Sequence, residues 1–286
     1  MKPLLPSNLA ILPRLLRTGT VAVALAAGLA SMTPTASAAD TLEKVRQRGA
    51  LKVGVQYVAP EYAAGSKFRT PEGIEHVLAQ DLAQRLQVKA VAVQGDAGKG
   101  ADQLKSHKLD VLLAVAPANH SQRAATVTAT VPTGYVAAPM AIMRIDTTIK
   151  TWEQLKGHTV CVPQGGRYAG LAARHGAIEK PYKAPADALL GLRIGACDAT
   201  IHDAALLEEL LKLPEWKKFS ARLQAGVGAG APLEIVLPAG DDKARAYFQQ
   251  VAKEWQAGST LQQQLRLMAR NIAFEVYLDQ DVPDCH

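Results

Sequence analysis

The sequence predicts an α/β protein of two lobes, each a parallel-rich sheet flanked by helices, with two crossover strands joining them. Three observations carry that prediction. Strand-like and helix-like patterns alternate through the first part of the chain, the alternation begins again near residue 151, and two extended stretches, Met140–Arg144 and Leu233–Leu237, separate the halves. A strand–helix–strand succession requires parallel pairing with a crossover. Two crossovers suit hinge closure, with the cleft as the default ligand site.

The first lobe opens with Thr41–Arg48, where Thr41 is the expected cap, Leu42 and Val45 share a face, and Gly49 ends the helix. Leu51–Val55 reads as a strand, followed by a loop from Gln56 to Thr70. In Glu75–Leu86 the residues Val77, Leu78, Leu82 and Leu86 fall at helical spacing. Val88–Val93 is the next strand, Gly95–Gly100 a turn, Ala101–Lys108 a helix, and Val111–Ala114 a strand entered through Asp110.

The second lobe repeats the plan. Thr151–Gly157 has the capping pattern of a short helix, Thr159–Val162 is a strand, Tyr168–Arg174 a helix, Pro181–Lys183 a strand, Ala186–Ile194 a helix and Asp198–His202 a strand. Beyond the second crossover, Asp242–Gln256 and Leu261–Ala269 are amphipathic helices expected to return to the first lobe, and Asn271–His286 is a tail. The expected domains are residues 39–142 with 237–286, and residues 143–236.

Residues 1–38 carry Lys2, Arg14 and Arg17 with no acidic residue, an apolar run from Val21 to Ala30, and Ala36-Ser37-Ala38. That is the pattern of a cleavable secretory signal peptide, its apolar core too short for the roughly 20 residues of a membrane helix. Periplasmic export follows, and the absence of a cysteine near the cleavage region argues against a lipid anchor. Losing those three basic residues takes the formal charge from +6 to +3, with both signs interspersed, so nucleic acid is not implied. Aromatic residues are only 5% of the chain, which leaves the core to Ala, Val, Leu and Ile.

Chemistry concentrates at RIGACDATIHDAALL (193–207), where a strand ends on Asp203 and a helix begins. Strand ends facing a crevice are where open α/β sheets bind ligands. A desolvated carboxylate there requires a cation, from the protein or from a ligand. KSHKLDVLLAVAPANHSQRAA repeats the layout with the opposite charge, Arg123. One carboxylate and one guanidinium on facing strand ends match the ammonium and carboxylate of a free amino acid. The alternative is that both are structural ion-pairing or capping residues.

Five phrases in order, TLEKVRQRGALKVGV, Gly73-Ile74-Glu75, SHKLDVLLA with Gln122-Arg123, TWEQLKGHTVCVPQGG and GACDATIHDAALL, resemble the amino-acid-binding family of periplasmic solute-binding proteins, partners of ABC importers. The resemblance runs to about Ala269 and implies the two-lobed, type II periplasmic binding protein fold. It implies that Arg123 binds the ligand α-carboxylate and Asp203 the α-ammonium from opposing lobes, a charge-assisted bond in a closed cleft contributing about 1.5 to 3 kcal/mol. It also assigns the Gly165-Gly166 loop to the ligand carboxylate and Tyr62, with Pro60 beside it, to an aromatic wall. An ordinary tight turn and a surface tyrosine are the competing readings.

The chain departs from the family pattern at several positions. His120 stands where a Thr is usual, Gly95–Gly100 replaces a second aromatic wall, and Ala129-Thr130-Val131-Pro132-Thr133 replaces Phe-Ser-x-Pro-Tyr. Arg167, in place of a Thr, either favours an acidic ligand side chain or is a solvated surface residue. Gln56 stands where members binding cationic amino acids carry an acid, which disfavours a cationic ligand. His120, His202 and Asp203 could together ligate a transition metal, but two histidines brought together only by an inferred fold are weak support, the cysteines fit no zinc pattern, and no metal or cofactor is expected. Cys161 and Cys197, in strands one and three of the second lobe, are the expected disulfide over any pair with Cys285.

The resulting expectation is a monomeric binding protein that captures a non-cationic amino acid and docks to the membrane permease subunits of an importer. A ligand-responsive sensor partner is indistinguishable from it in sequence. The alternative of a different class is a cyclohexadienyl dehydratase on the same fold, acting on prephenate or arogenate through Glu75, His120 or His202 as general acid.

Overall fold

A computed structural model describes residues 40–58, 69, 73–95, 99–115, 127–226 and 229–280. They form two five-stranded sheets. The first contains β1 (Ala50–Val55), β2 (Lys89–Gln94), β3 (Val111–Val115), β4 (Thr128–Ala137) and β10 (Ala231–Pro238), in the order β2-β1-β3-β10-β4. The second contains β5 (Pro139–Met143), β6 (Thr159–Pro163), β7 (Ile178–Tyr182), β8 (Ala199–Asp203) and β9 (Ala221–Gln224), in the order β7-β6-β8-β5-β9. In each, three strands are parallel and the remaining two are reached through an antiparallel partner. The two sheets are built on one plan.

Helices α1 (Thr41–Arg48), α2 (Ile74–Arg85) and α3 (Gly100–Lys105) belong to the first half, and α4 (Leu171–Arg174), α5 (Pro185–Arg193) and α6 (Ala204–Leu210) to the second. The cap of α1 is Asp40, whose side chain accepts from the Glu43 amide at 3.3 Å, rather than Thr41. Gly49 takes the left-handed conformation (φ 68°) that ends the helix. Asp110 serves the fold: it accepts from the Lys52 amide at 2.7 Å and pairs with Arg48, fixing the entry of β3 beside β1.

The crossovers fall elsewhere than the sequence suggested. Met140–Met143 is already inside the second sheet and Leu233–Leu237 inside the first, so the chain passes between sheets at Ala138 and again between Gln224 and Ala231. The boundaries expected at 142/143 and 236/237 therefore move to those points. β4 and β9 were not expected as strands. β4 buries alternate residues over its second half, but Pro132 and Gly134 interrupt its apolar pattern.

Two helices complete the chain, α7 (Asp242–Ala257) and α8 (Thr260–Leu278). α7 returns to the first lobe and packs on β4, as expected. α8 instead packs chiefly on α5 and α6 of the second lobe and absorbs half of the predicted tail, to Leu278. Its buried stripe, including Leu265, Met268, Ile272 and Val276, has the spacing of one helix face. The main apolar core consequently runs through both lobes, from Val45, Leu51 and Val53 to Leu189, Leu207 and Leu210. Few as they are, the aromatics are used at its centre: Trp216, Trp255, Phe219 and Phe248 are among the largest fully buried side chains.

Cys161 and Cys197 form a disulfide with Cα atoms 5.7 Å apart, within ordinary disulfide geometry. Cys197 sits two residues before β8 rather than inside it. Gly191 of α5 lies against this bridge, where a Cβ would come within 2.5 Å of the Cys161 sulfur.

Candidate functional site

The candidate site lies where β8 meets α6, in a cavity of about 100 Å³ lined by residues of both lobes. Asp203 occupies the N-cap position of α6 without making the side-chain cap bond. Its carboxylate is turned to other partners. Oδ1 accepts from the amide of Ala138, the crossover residue, at 3.4 Å, and Oδ2 accepts from Arg167 Nη1 at 2.9 Å.

Arg167 arrives from the turn after β6. Gly165 there has φ 67°, a left-handed value that favours glycine, and the Gly166 amide donates to the Pro163 carbonyl at 3.0 Å. That amide is consumed by the turn, which is the tight-turn reading of Gly165-Gly166 rather than a free anion-holding pair. The turn directs Arg167 inward, its side chain 15% exposed. The reading of Arg167 as a solvated surface residue is overturned. Its other terminal nitrogen, Nη2, pairs with Glu75.

Glu75 comes from the first lobe. It sits in the first turn of α2, where the helix dipole favours a carboxylate, and its side chain is 8% exposed. Gly73 precedes it at φ 116°, and a Cβ there would lie 3.1 Å from Glu75 Oε2. One guanidinium thus joins a carboxylate of each lobe. The cation required by the strand-end Asp203 is supplied by the protein itself.

Three charges in so dry a place shift the neighbouring equilibria. Burial, helped by the Glu75 charge, pushes Asp203 up to about 6 even though Arg167 and the Tyr135 hydroxyl stabilise its ionised form. Burial and the Asp203 charge raise the Tyr135 and Tyr168 hydroxyls, which stay protonated. Burial works against the charge of Arg167, and the carboxylates of Glu75 and Asp203 more than offset it. Arg167 Nε and the Tyr168 hydroxyl are buried without a hydrogen-bond partner among the described residues.

His202 points to a different role from the ones considered in sequence. It is 4% exposed, and burial lowers its pKa to about 3. Thr200 Oγ1 donates its single proton to the Cys161 carbonyl at 2.9 Å, so it accepts from His202 Nε2–H at 2.8 Å. The ring is a neutral, hydrogen-bonded member of the second lobe. No group of three metal-ligating side chains occurs among the described residues.

Of the other predicted site residues, Gln56 lines the cavity with its neighbour Tyr57, and Gly166 does so at the edge of the turn. Gly165 lines an adjoining cavity instead. Arg123, His120 and Tyr62 lie outside the described residues, as do residues 1–38 and Cys285. Tyr135, Tyr168 and Met268 also line the cavity, and sequence reading did not single them out. Tyr135 was hidden in an unrecognised strand and Met268 in a helix assigned to the wrong lobe; Tyr168 directly follows Arg167, which was a usable signal.

Further contacts tie the lobes around this cavity. Tyr57 donates its hydroxyl proton to the Lys183 carbonyl at 2.8 Å. Arg69, its side chain 3% exposed, pairs with Asp187 of α5 and Asp279 after α8. The Gly73 amide lies 3.4 Å from the Met268 sulfur.

The model of the bacterial extracellular solute-binding proteins, family 3, matches residues 51–266. No curated protein sequence matches the chain. Among solved structures, an ancestral cationic amino acid solute-binding protein is 19% identical with a TM-score of 0.56, covering 80% of this chain and 99% of its own. A second structure of that ancestor, described as a precursor of cyclohexadienyl dehydratase, is 21% identical with a TM-score of 0.52 over 79% and 97% of the two chains. An amino acid ABC transporter substrate-binding protein of Streptococcus pneumoniae, bound to L-arginine, is 13% identical with a TM-score of 0.54 over 80% and 98%. These likenesses establish the two-lobed fold.

Proposed function

Because the chain belongs to family 3 of the bacterial extracellular solute-binding proteins, we propose that it captures an amino acid or a related small zwitterion between its lobes in the periplasm and delivers it to the membrane subunits of an ABC importer. One observation carries this reading. Glu75 and Asp203, buried in a cavity between the lobes, share a single guanidinium, and Asp203 is pushed up to about 6. Among the described residues, two carboxylates against one cation leave the cavity one positive charge short, the charge that the ammonium of an amino acid supplies.

In this reading Asp203 receives the ammonium and Arg123 receives the carboxylate, the latter resting on the resemblance of its surrounding sequence. Gln56 on the cavity wall offers an amide to a neutral side chain rather than an acid to a cationic one. A thermal-shift screen of the mature protein against the common amino acids tests the proposal, since a solute that binds only the folded state raises its melting temperature. A saturable shift with a neutral or acidic amino acid is expected. The absence of any shift across the set would refute the assignment.

A second reading, a dehydratase of prephenate or arogenate, is favoured by one feature. A carboxyl with a pKa near 6 beside a second carboxylate is poised as a general acid. Turnover of either compound by the purified protein would establish this reading; no turnover would leave the binding protein standing.

A further inference from the structure

We propose that Arg167 is a tethered internal ligand: its guanidinium occupies the cation site between Glu75 and Asp203, and by occupying it excludes amino acids with cationic side chains. The exclusion rests on the amino-acid-binding function proposed above. The occupancy rests on geometry alone.

Arg167 is presented by the β6–α4 turn of the second lobe and reaches a carboxylate of each lobe, Asp203 at 2.9 Å through Nη1 and Glu75 through Nη2. All three side chains are largely withdrawn from solvent, at 15%, 17% and 8% exposure. A planar guanidinium can donate through separate nitrogens to two acids at once, as a bound cation would. Here the chain supplies that cation covalently.

Charge counting then sets the ligand class. Among the described residues lining the cavity, Glu75 and Asp203 are the acids, Arg167 is the cation, and His202 is neutral. One ammonium balances this set. A second positive charge on the ligand side chain meets no free acid and would lie beside Arg167, where like-charge repulsion in a dry site is severe. Removing Arg167 leaves two acids and room for a guanidinium, which changes the preferred ligand from singly to doubly positive.

The test is calorimetric and thermal-shift titration of the mature wild type and Arg167→Ala with L-arginine, L-lysine and ethylguanidinium. Wild type is expected to show no saturable response to these three probes. Arg167→Ala is expected to bind L-arginine at least tenfold more tightly than wild type does, and millimolar ethylguanidinium should raise its melting temperature. Wild type binding L-arginine as tightly as the variant, or a variant indifferent to every probe, would overturn the proposal. Should the variant fail to fold alone, refolding in millimolar ethylguanidinium decides: a recovered far-ultraviolet circular dichroism spectrum supports the internal ligand, and no recovery overturns it.

The two proposals fail separately. A wild type that binds no amino acid, beside a variant restored by ethylguanidinium, loses the proposed function and keeps the internal ligand. A wild type that binds a neutral amino acid, beside a variant that ignores the probes, does the reverse.

Discussion

His202 makes the folded protein sensitive to acid in a way that one substitution isolates. The ring is buried, donates Nε2–H to Thr200 and titrates near 3, against about 6.5 in an unfolded chain. Between these values the unfolded state binds a proton that the folded state refuses. The stability contributed by the neutral ring is complete above pH 6.5 and falls as pH drops towards 3, by about 1.4 kcal/mol per unit once clear of the upper limit. From pH 7.5 to 4.5 the loss is roughly 2.6 kcal/mol.

Asp203 acts in the opposite sense. Its folded pKa of about 6 lies above its ordinary value of 3.8, so the folded state takes up a proton first and gains roughly 2 kcal/mol over the same interval. In the wild type these two contributions nearly cancel. His202→Gln keeps a donor near the Nε2 position and removes the titration, so its unfolding free energy, measured by urea denaturation with tryptophan fluorescence, should gain roughly 2.5 kcal/mol on wild type between pH 7.5 and 4.5. Equal changes in the two proteins would refute the assignment of His202 as a buried neutral ring.

Other substitutions probe the frame around the site. Replacing Cys161 and Cys197 by Ser opens a loop of sequence separation 36 and should cost about 4 kcal/mol by the chain-entropy relation, read as a lower urea midpoint. Gly191→Ala places a Cβ 2.5 Å from the Cys161 sulfur and 2.9 Å from the Tyr182 hydroxyl oxygen; an overpacking cost of about 1 to 3 kcal/mol is expected, and a melting temperature equal to wild type would contradict it. Arg69→Ala leaves Asp187 and Asp279 without that guanidinium and should lower the unfolding free energy by about 3 to 5 kcal/mol, the cost of breaking a buried ion pair.

The parallel strands and their helices were legible in the sequence because each pairs an apolar run with its own punctuation: Gly49 stops α1, and Pro185 starts α5. β4 and β9 were not, since Pro132 and Gly134 break the pattern of one and the other is only four residues long. The lobe assignment of α8 could not be read from its amphipathic face, because a face states that a helix packs and not against which sheet. Asp203 was legible as a strand-end carboxylate in need of a cation. That the cation is Arg167 depended on a turn whose inward aim follows from Gly165 and Gly166 only once β6 and β8 are neighbours. Glu75 was legible only as a candidate general acid; its pairing with Arg167 was not, since an acid in the first turn of a helix is ordinary capping chemistry until another lobe places a guanidinium against it.

The central claim, that Asp203 receives the ammonium of an amino acid, is tested most directly by calorimetric titration of the amino acid giving the largest thermal shift into wild type and Asp203→Asn. The substitution preserves shape and removes the charge. A charge-assisted bond of about 1.5 to 3 kcal/mol predicts roughly a tenfold to hundredfold loss of affinity in the variant. Equal affinities would show that the solute binds without Asp203, and the site would have to be sought elsewhere.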